Sequence, residues 1–352
     1  MRKQLIGAGL RVIRASRIDR VTANLTRGLG AILMFHHVRP DNPERAGFRP
    51  NGFLEITPEF LDAVIVTLRR LGFEILDLDA AAAWIAGPSR PEAQPFAVLT
   101  FDDGYRDNVE HALPVLRRHG APFTLYVTTG FADRTARLWW HELELAIARA
   151  DEIDVEIGSE RLKLPAAGDA EKTRAYEILY RRLRGGPEET LLTVIGELAD
   201  RYGVDGRKLV EDECLDFQEI VALAREPLCT IGAHTLTHPM LAKHDIAVVR
   251  RELGESRQLI AAQIGRAVSD VAYPVGDPTS AGPREFSAAR DAGFVTGVTT
   301  RPGMIFACHA AHLTALPRLS INGNWQEIGY VEALLSGVPF ALWNGGRRLN
   351  VA

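Results

Sequence analysis

The chain has 352 residues, 46% of them hydrophobic and 24% charged, and a formal net charge of −4. Such a chain can bury a large core as a soluble globular protein, and it offers no excess of positive charge to suggest a nucleic-acid partner. Its three cysteines, Cys214, Cys229 and Cys308, are dispersed without a Cys-x-x-Cys pair, which argues against a disulfide framework and for a reducing, cytoplasmic setting.

Residues 1–28 interleave Leu5, Ile6, Leu10, Ile13, Ile18, Val21 and Leu25 with Arg11, Arg14, Arg17, Arg20 and Arg27. The pattern predicts a basic amphipathic segment, docked on the protein or lying on an anionic membrane surface. The apolar run Leu5–Leu10 is short, is ended by Arg11 and leads to no small-residue cleavage pattern, so a signal peptide is not expected. No run of about 18 apolar residues predicts a membrane span.

Residues 31–38 read as a buried strand ending in His36 and His37. Thr57 as cap, Pro58 in the first turn and Gly72 as terminator predict a helix over 58–71. A short strand follows at Phe73–Leu76 and a helix at Asp79–Ala86. Phe96–Phe101 is an apolar strand running into Asp102-Asp103-Gly104, followed by a helix to about His119, broken or kinked near Pro114. Phe123–Val127 is the next strand. The rhythm changes over 131–215: Ile153–Ile157 and Arg161–Leu164 around Gly158-Ser159 predict a hairpin, with polar helices at 169–184 and 187–202 after it. This region reads as an insertion. Alternation resumes with a capping box at Asp216–Glu219, a strand Cys229–Ala233 reaching His234, a helix Ile246–Ile264 and a strand Val271–Tyr273. A helix Pro283–Ala292, a strand Phe294–Thr299 and a last helix opened by a capping box at Asn324–Glu327 complete the chain. Repeated strand and helix units imply a parallel sheet covered by helices.

Polar outliers fall just after predicted strands, where the loops of α/β folds converge on a site. They are His36-His37, Asp102-Asp103, His234 with His238, and Tyr273-Pro274. Asp102 and Asp103, taken alone, suit either an acidic turn or a base beside a metal ligand. His234 and His238, four apart, share one face of a helical turn and can share a metal. Two histidines and an aspartate make a three-ligand set used by zinc hydrolases and by non-haem iron enzymes. The second carboxylate beside that set favours hydrolysis.

Thr100–Gly104 with Tyr105, His234–His238 and Ala272–Gly276 resemble, in order and spacing, the first three motifs of the polysaccharide deacetylase family, the NodB homology domain of carbohydrate esterase family 4. The likeness covers about 31–130 and 216–325. It implies a distorted (β/α) barrel over 29–352, interrupted by the hairpin-and-helix insertion at 131–215. It implies removal of N-acetyl groups from a carbohydrate by a divalent metal, with zinc expected first and cobalt, nickel or iron as alternatives. Asp102 becomes the general base, Asp103, His234 and His238 the metal ligands, and Tyr273, Val275 and Arg318 the surroundings of substrate and oxyanion, with the Val275 N–H as oxyanion donor. The family's arginine two residues before the motif proline is replaced by Ala272, which leaves Arg318 as the candidate partner of Asp102. The family's late Leu-x-His motif is absent from Leu319-Ser320-Ile321. Met34-Phe35-His36-His37-Val38 resembles the Met-Tyr-His-x-Val strand that opens a subgroup of the family, and this resemblance implies His36 as the acid or its orienter, with His309 and His312 in reserve. A non-haem iron enzyme and a catalytically silent carbohydrate-binding protein are the alternatives.

Overall fold

The computed structural model describes residues 25–42, 47–88 and 94–351, with Gly7 and Gly9. The amphipathic reading of the first 28 residues falls almost wholly outside the described residues.

The strands are β1 (Gly30–Phe35), β2 (His37–Val38), β3 (Glu55–Ile56), β4 (Glu74–Ile75), β5 (Phe96–Phe101), β6 (Phe123–Val127), β7 (Glu152–Ile157), β8 (Glu160–Pro165), β9 (Cys229–Ala233), β10 (Asp270–Ala272), β11 (Thr296–Pro302) and β12 (Leu316–Ser320). Seven of them close a parallel barrel in the order β1-β12-β11-β10-β9-β6-β5, sealed by pairing of β5 with β1, while β4 adds along the first residues of β5. The strand expected over 31–38 is broken at His36. The residues on either side of the break belong to different sheets, since β2 leaves the barrel to pair with β3.

Residue parity sorts the strand side chains. Ala31, Leu33, Phe35, Ala97, Leu99, Phe101, Phe123, Leu125, Ile231 and Val271 pack outward with the surrounding helices. Ile32, Phe96, Val98, Tyr126, Ala272, Val298 and Leu316 form a separate interior cluster. Leu78, Ala81 and Ile85 of the helix Leu78–Ala86 join that cluster and close the lower end of the barrel. Strand side chains alternate in direction, so even-numbered positions face the barrel axis. His36, Asp102 and His234 continue the even set past the carboxyl ends of β1, β5 and β9, which aims them into the mouth.

The helices obey ordinary capping chemistry. The Thr57 hydroxyl accepts from the Phe60 N–H at 3.1 Å and Pro58 occupies the first turn of Pro58–Arg70. Asp216 and Glu219 form the expected reciprocal capping box. The helical run expected to be broken or kinked near Pro114 changes type there: a π-helical turn at Asn108–Ala112 gives way to Leu113–His119, with Pro114 in its first turn. One expectation is corrected. The capping box at Asn324–Glu327 does not form. Asn322 instead caps a short turn at Gly323–Trp325, and the helix begins at Ile328 without a side-chain cap from Glu327.

Residues 131–215, expected as an insertion, form the antiparallel hairpin β7–β8 and helices at Trp139–Arg149, Asp169–Gly185, Glu188–Arg201 and Gly206–Glu213. They have a hydrophobic cluster of their own, including Trp139, Leu143, Ile147, Leu179, Ile195 and Leu198, which Tyr105 and Cys214 join. None of the described helices is long and apolar enough to cross a membrane.

Candidate active site

Asp103 would point away from the barrel mouth if β5 simply continued. Its backbone enters the left-handed region, with φ 73°, and this turns its carboxylate back toward the axis beside Asp102. Thr235, His238 and Val275 take the same unusual conformation, with φ of 66°, 62° and 61°. Non-glycine residues held there carry strain, which clusters at functional sites. His234 and His238 do not share a helical turn. His234 ends a strand, and the irregular segment after it brings His238 back so that the two rings lie edge to face, 4.9 Å apart.

The three expected ligands meet. Asp103 Oδ1 lies 3.4 Å from His234 Nε2 and 3.3 Å from His238 Nε2. All three side chains are buried. The His234 Nδ1–H donates to the Ala272 carbonyl at 2.7 Å, which leaves Nε2 as a bare lone pair. Atoms bound to one tetrahedral zinc at about 2.0–2.1 Å stand roughly 3.3 Å apart, so this donor set fits such an ion.

Asp102 sits beside this set, held by Arg318. The guanidinium donates from Nη1 to Oδ1 at 2.7 Å and from Nη2 to Oδ2 at 2.6 Å. Its remaining reach is anchored by Nε to the Thr299 carbonyl at 2.9 Å and by Nη1 to the Thr100 hydroxyl at 3.1 Å. Burial pushes the Asp102 carboxyl up, but the Arg318 charge and hydrogen bonds outweigh burial and hold it below the ordinary carboxylate range. Arg318 lies behind Asp102, with 1% of its surface exposed, and so supports the carboxylate rather than lining the substrate space.

His36 stands with Nε2 4.0 Å from Asp102 Oδ2. Burial lowers its pKa, more than the neighbouring Asp102 and Asp103 charges raise it, so the resting ring is neutral. The Val275 backbone reaches the same space, and its N–H has no partner among the described residues. Tyr273 is placed elsewhere than expected: its ring packs against Phe286 in the outer core and its hydroxyl donates to the Thr314 carbonyl at 2.7 Å. Odd parity turns it away from the axis. His309 and His312 precede β12 and lie toward the opposite end of the barrel, where the His309 ring accepts from the Phe306 N–H. Neither lines the site.

His36, Asp102, Asp103, His234, His238 and Val275 border a cavity of about 310 Å³. Several of its walls carried no motif in the sequence. Trp139, Trp140, Tyr180 and Arg184 come from the insertion, Asn51, Phe53 and Leu54 from the turn Pro50–Leu54, and Asp277 from the loop after β10. The only sequence signals were the Trp139-Trp140 pair and the position of Asp277 directly after the Tyr-Pro-Val-Gly turn. A buried polar network stands behind the acidic turn. His37 Nδ1 and Asp107 Oδ2 lie 2.7 Å apart, and His37 Nε2 faces His141 Nε2 at 3.4 Å. Arg39 donates to Asp107 at 2.9 Å and to Glu213 at 2.8 Å. The His37 ring stacks on Tyr105 at 3.5 Å, which ties the acidic turn to the insertion. His37, Asp107 and Glu213 lie within metal-binding reach of one another, but the Arg39 guanidinium already supplies their countercharge.

The family model for polysaccharide deacetylase matches residues 89–181 and 190–296. It takes in most of the insertion and leaves β1 and Arg318 outside. A Bacillus subtilis protein, YxkH, named for the same family, is 27% identical over 96 residues, which are 27% of this chain and 30% of that protein. Among solved structures, the deacetylase PplD of Streptococcus pyogenes, determined with acetate, superposes with a TM-score of 0.56 at 18% identity, covering 87% of this chain and 97% of its own. IcaB from Ammonifex degensii gives 0.53 at 16% identity, covering 88% and 98%. At these identities the structures establish a shared fold, and the family model, matched over more than half of the residues, establishes descent. The chain belongs to the polysaccharide deacetylase family, a family of hydrolases.

Proposed function

We propose that the protein hydrolyses N-acetyl groups on a carbohydrate, releasing acetate, with a divalent metal, zinc first among the candidates, held by Asp103, His234 and His238. The observation that carries this reading is the Asp102 carboxylate, fixed by two charge-assisted hydrogen bonds beside a buried three-ligand set. When bound, the metal polarises the acetyl carbonyl and acidifies the attacking water. Asp102 takes the proton of that water. Arg318 fixes the direction of its lone pairs and keeps it ionised before the reaction. The Val275 N–H donates to the oxygen that gains negative charge as the carbonyl becomes tetrahedral. His36, close to Asp102, gives a proton to the departing nitrogen after receiving one from the Asp102 side, so the proton taken from water leaves on the amine. Trp139, Trp140 and Leu54 form an apolar wall of the cavity that suits the acetyl methyl group.

The free cysteines fit a reducing, cytoplasmic setting, and the arginine-rich first 28 residues fit contact with an anionic membrane surface. The test is acetate release from a panel of N-acetylated glycans after metal removal and reconstitution with zinc, cobalt, nickel or iron. Asp102→Asn is expected to keep metal binding, measured by calorimetry, and to lose acetate release by about 100-fold or more. Near-normal turnover in that variant would remove Asp102 from the base role.

A further inference from the structure

The rim of the cavity carries a contact that the reaction does not use. Arg184, at the end of the insertion helix Asp169–Gly185, donates from Nη2 to Asp277 Oδ2 at 2.5 Å. Asp277 belongs to the loop after β10, so the pair joins the insertion to the barrel across the rim of the substrate space. Both side chains line the cavity.

Each end of this bridge is held independently. Arg184 Nη1 donates to the Tyr180 hydroxyl at 3.2 Å, and its guanidinium lies over the Tyr180 ring, 5.7 Å from the centroid. Lys243 Nζ donates to the carbonyls of Arg184 and Gly186, which anchors the backbone at the helix end. Asp277 Oδ1 accepts from the Thr279 N–H at 2.8 Å and from its hydroxyl at 2.6 Å. The pair is anchored at both ends and borders the cavity while remaining partly exposed, 23% for the Arg184 side chain and 34% for Asp277. The cavity it bounds, about 310 Å³, is at the small end of the roughly 300–1,000 Å³ range of small-molecule sites. That space suits one sugar ring with part of a neighbour, and a glycan threaded through the site needs an exit on both sides.

We propose that the Arg184–Asp277 bridge is an end stop, and that the substrate of this site is the terminal N-acetylated sugar of a glycan rather than a sugar within the chain. The inference rests on the deacetylase reading above. Arg184 and Asp277 are positioning residues: they border the reacting terminal sugar on the side where the chain would otherwise continue, and so decide which residue reaches Asp102.

The test uses the metal-reconstituted full chain and fully N-acetylated hexosamine tetramers of several linkages, with the position of each new amine located by fragmentation mass spectrometry. The wild type is expected to place the amine at one terminal residue. Arg184→Gln and Asp277→Asn are expected to raise internal amines at least ten-fold relative to the terminal one, while Arg184→Lys keeps the terminal pattern. Thermal unfolding of each variant verifies that it is folded, and a merely structural bridge would change rate without changing position. Internal amines from the wild type, or an unchanged terminal pattern in the folded Gln and Asn variants, would overturn the end stop alone. Absence of acetate from every glycan would overturn the deacetylase reading and the end stop with it.

Discussion

Replacing Arg318 by Met removes the guanidinium while keeping most of the volume of its stem, and it probes the charge pair inside the barrel. Wild-type Arg318 makes two hydrogen bonds to Asp102 and one each to the Thr299 carbonyl and the Thr100 hydroxyl. Both members of the pair are at most 2% exposed. Breaking one side of such a pair strands a buried charge and costs about 3–5 kcal/mol. That is a large part of the 5–15 kcal/mol that holds a typical domain folded, so Arg318→Met should remain folded but unfold at a markedly lower denaturant concentration. Asp102→Asn strands the guanidinium instead. The double variant leaves neither charge alone, and its cost should fall short of the sum of the two single costs by about 1–3 kcal/mol. Urea unfolding of the four proteins, with metal chelated throughout, measures this coupling. A loss below about 1 kcal/mol in Arg318→Met, together with zero coupling, would show that the pair does not hold the interior as argued. Arg318→Lys, which keeps the charge without the planar fork, should fall between Arg318→Met and the wild type in both stability and acetate release.

Two titratable groups away from the metal ligands, Asp270 and the half-buried His141, give pH-dependent expectations of opposite sign. Burial pushes the Asp270 carboxyl up to about 7, although Thr296 donates to it. The folded state keeps a proton that the unfolded chain releases, so stability is lost as pH rises from about 4 to 7. Asp270→Asn removes that loss, and its stability gain should be about 2–3 kcal/mol larger at pH 8 than at pH 5; equal gains would show that the group is not held neutral. Burial pushes His141 down to about 3, with the facing His37 adding to the shift. Below about pH 6.5 the unfolded ring takes a proton that the folded one refuses, so stability falls on acidification, by about 2 kcal/mol at pH 5. Thermal unfolding of His141→Gln between pH 7 and pH 5 should show a shallower decline than the wild type, and an unchanged decline would place the acid sensitivity elsewhere.

Much of the site was legible because its chemistry depends on residue types at strand ends. An apolar run such as Phe96–Phe101 reads as a strand, and the polar residues after it stand out against it. Asp102, Asp103, His234 and His238 could therefore be gathered before any fold was known. Tyr273 could not be placed from its motif alone. Whether a residue at a strand end faces the axis or the outer helices is fixed by register, and one position decides it. The same limit hid the histidine network. His36 and His37 are neighbours in sequence, yet one faces Asp102 and the other is buried against Tyr105 and Asp107.

The sequence by itself determined the alternation of strands and helices, hence a parallel sheet covered by helices, and it marked Asp102, Asp103, His234 and His238 as polar residues at strand ends. These follow from apolar periodicity, capping residues and short-range spacing, all of which are local, whereas the barrel class was implied by the resemblance of the motifs to a family. The tertiary structure alone decided that β1 pairs with β5 to close the ring. It decided that Asp103 turns back through a left-handed backbone, and that Arg318, more than 200 residues from Asp102, supplies the missing guanidinium. It also placed Trp139, Tyr180 and Arg184 of the insertion around the substrate space. Those contacts form between distant segments, and their geometry depends on how whole elements pack, which no local pattern of residues encodes.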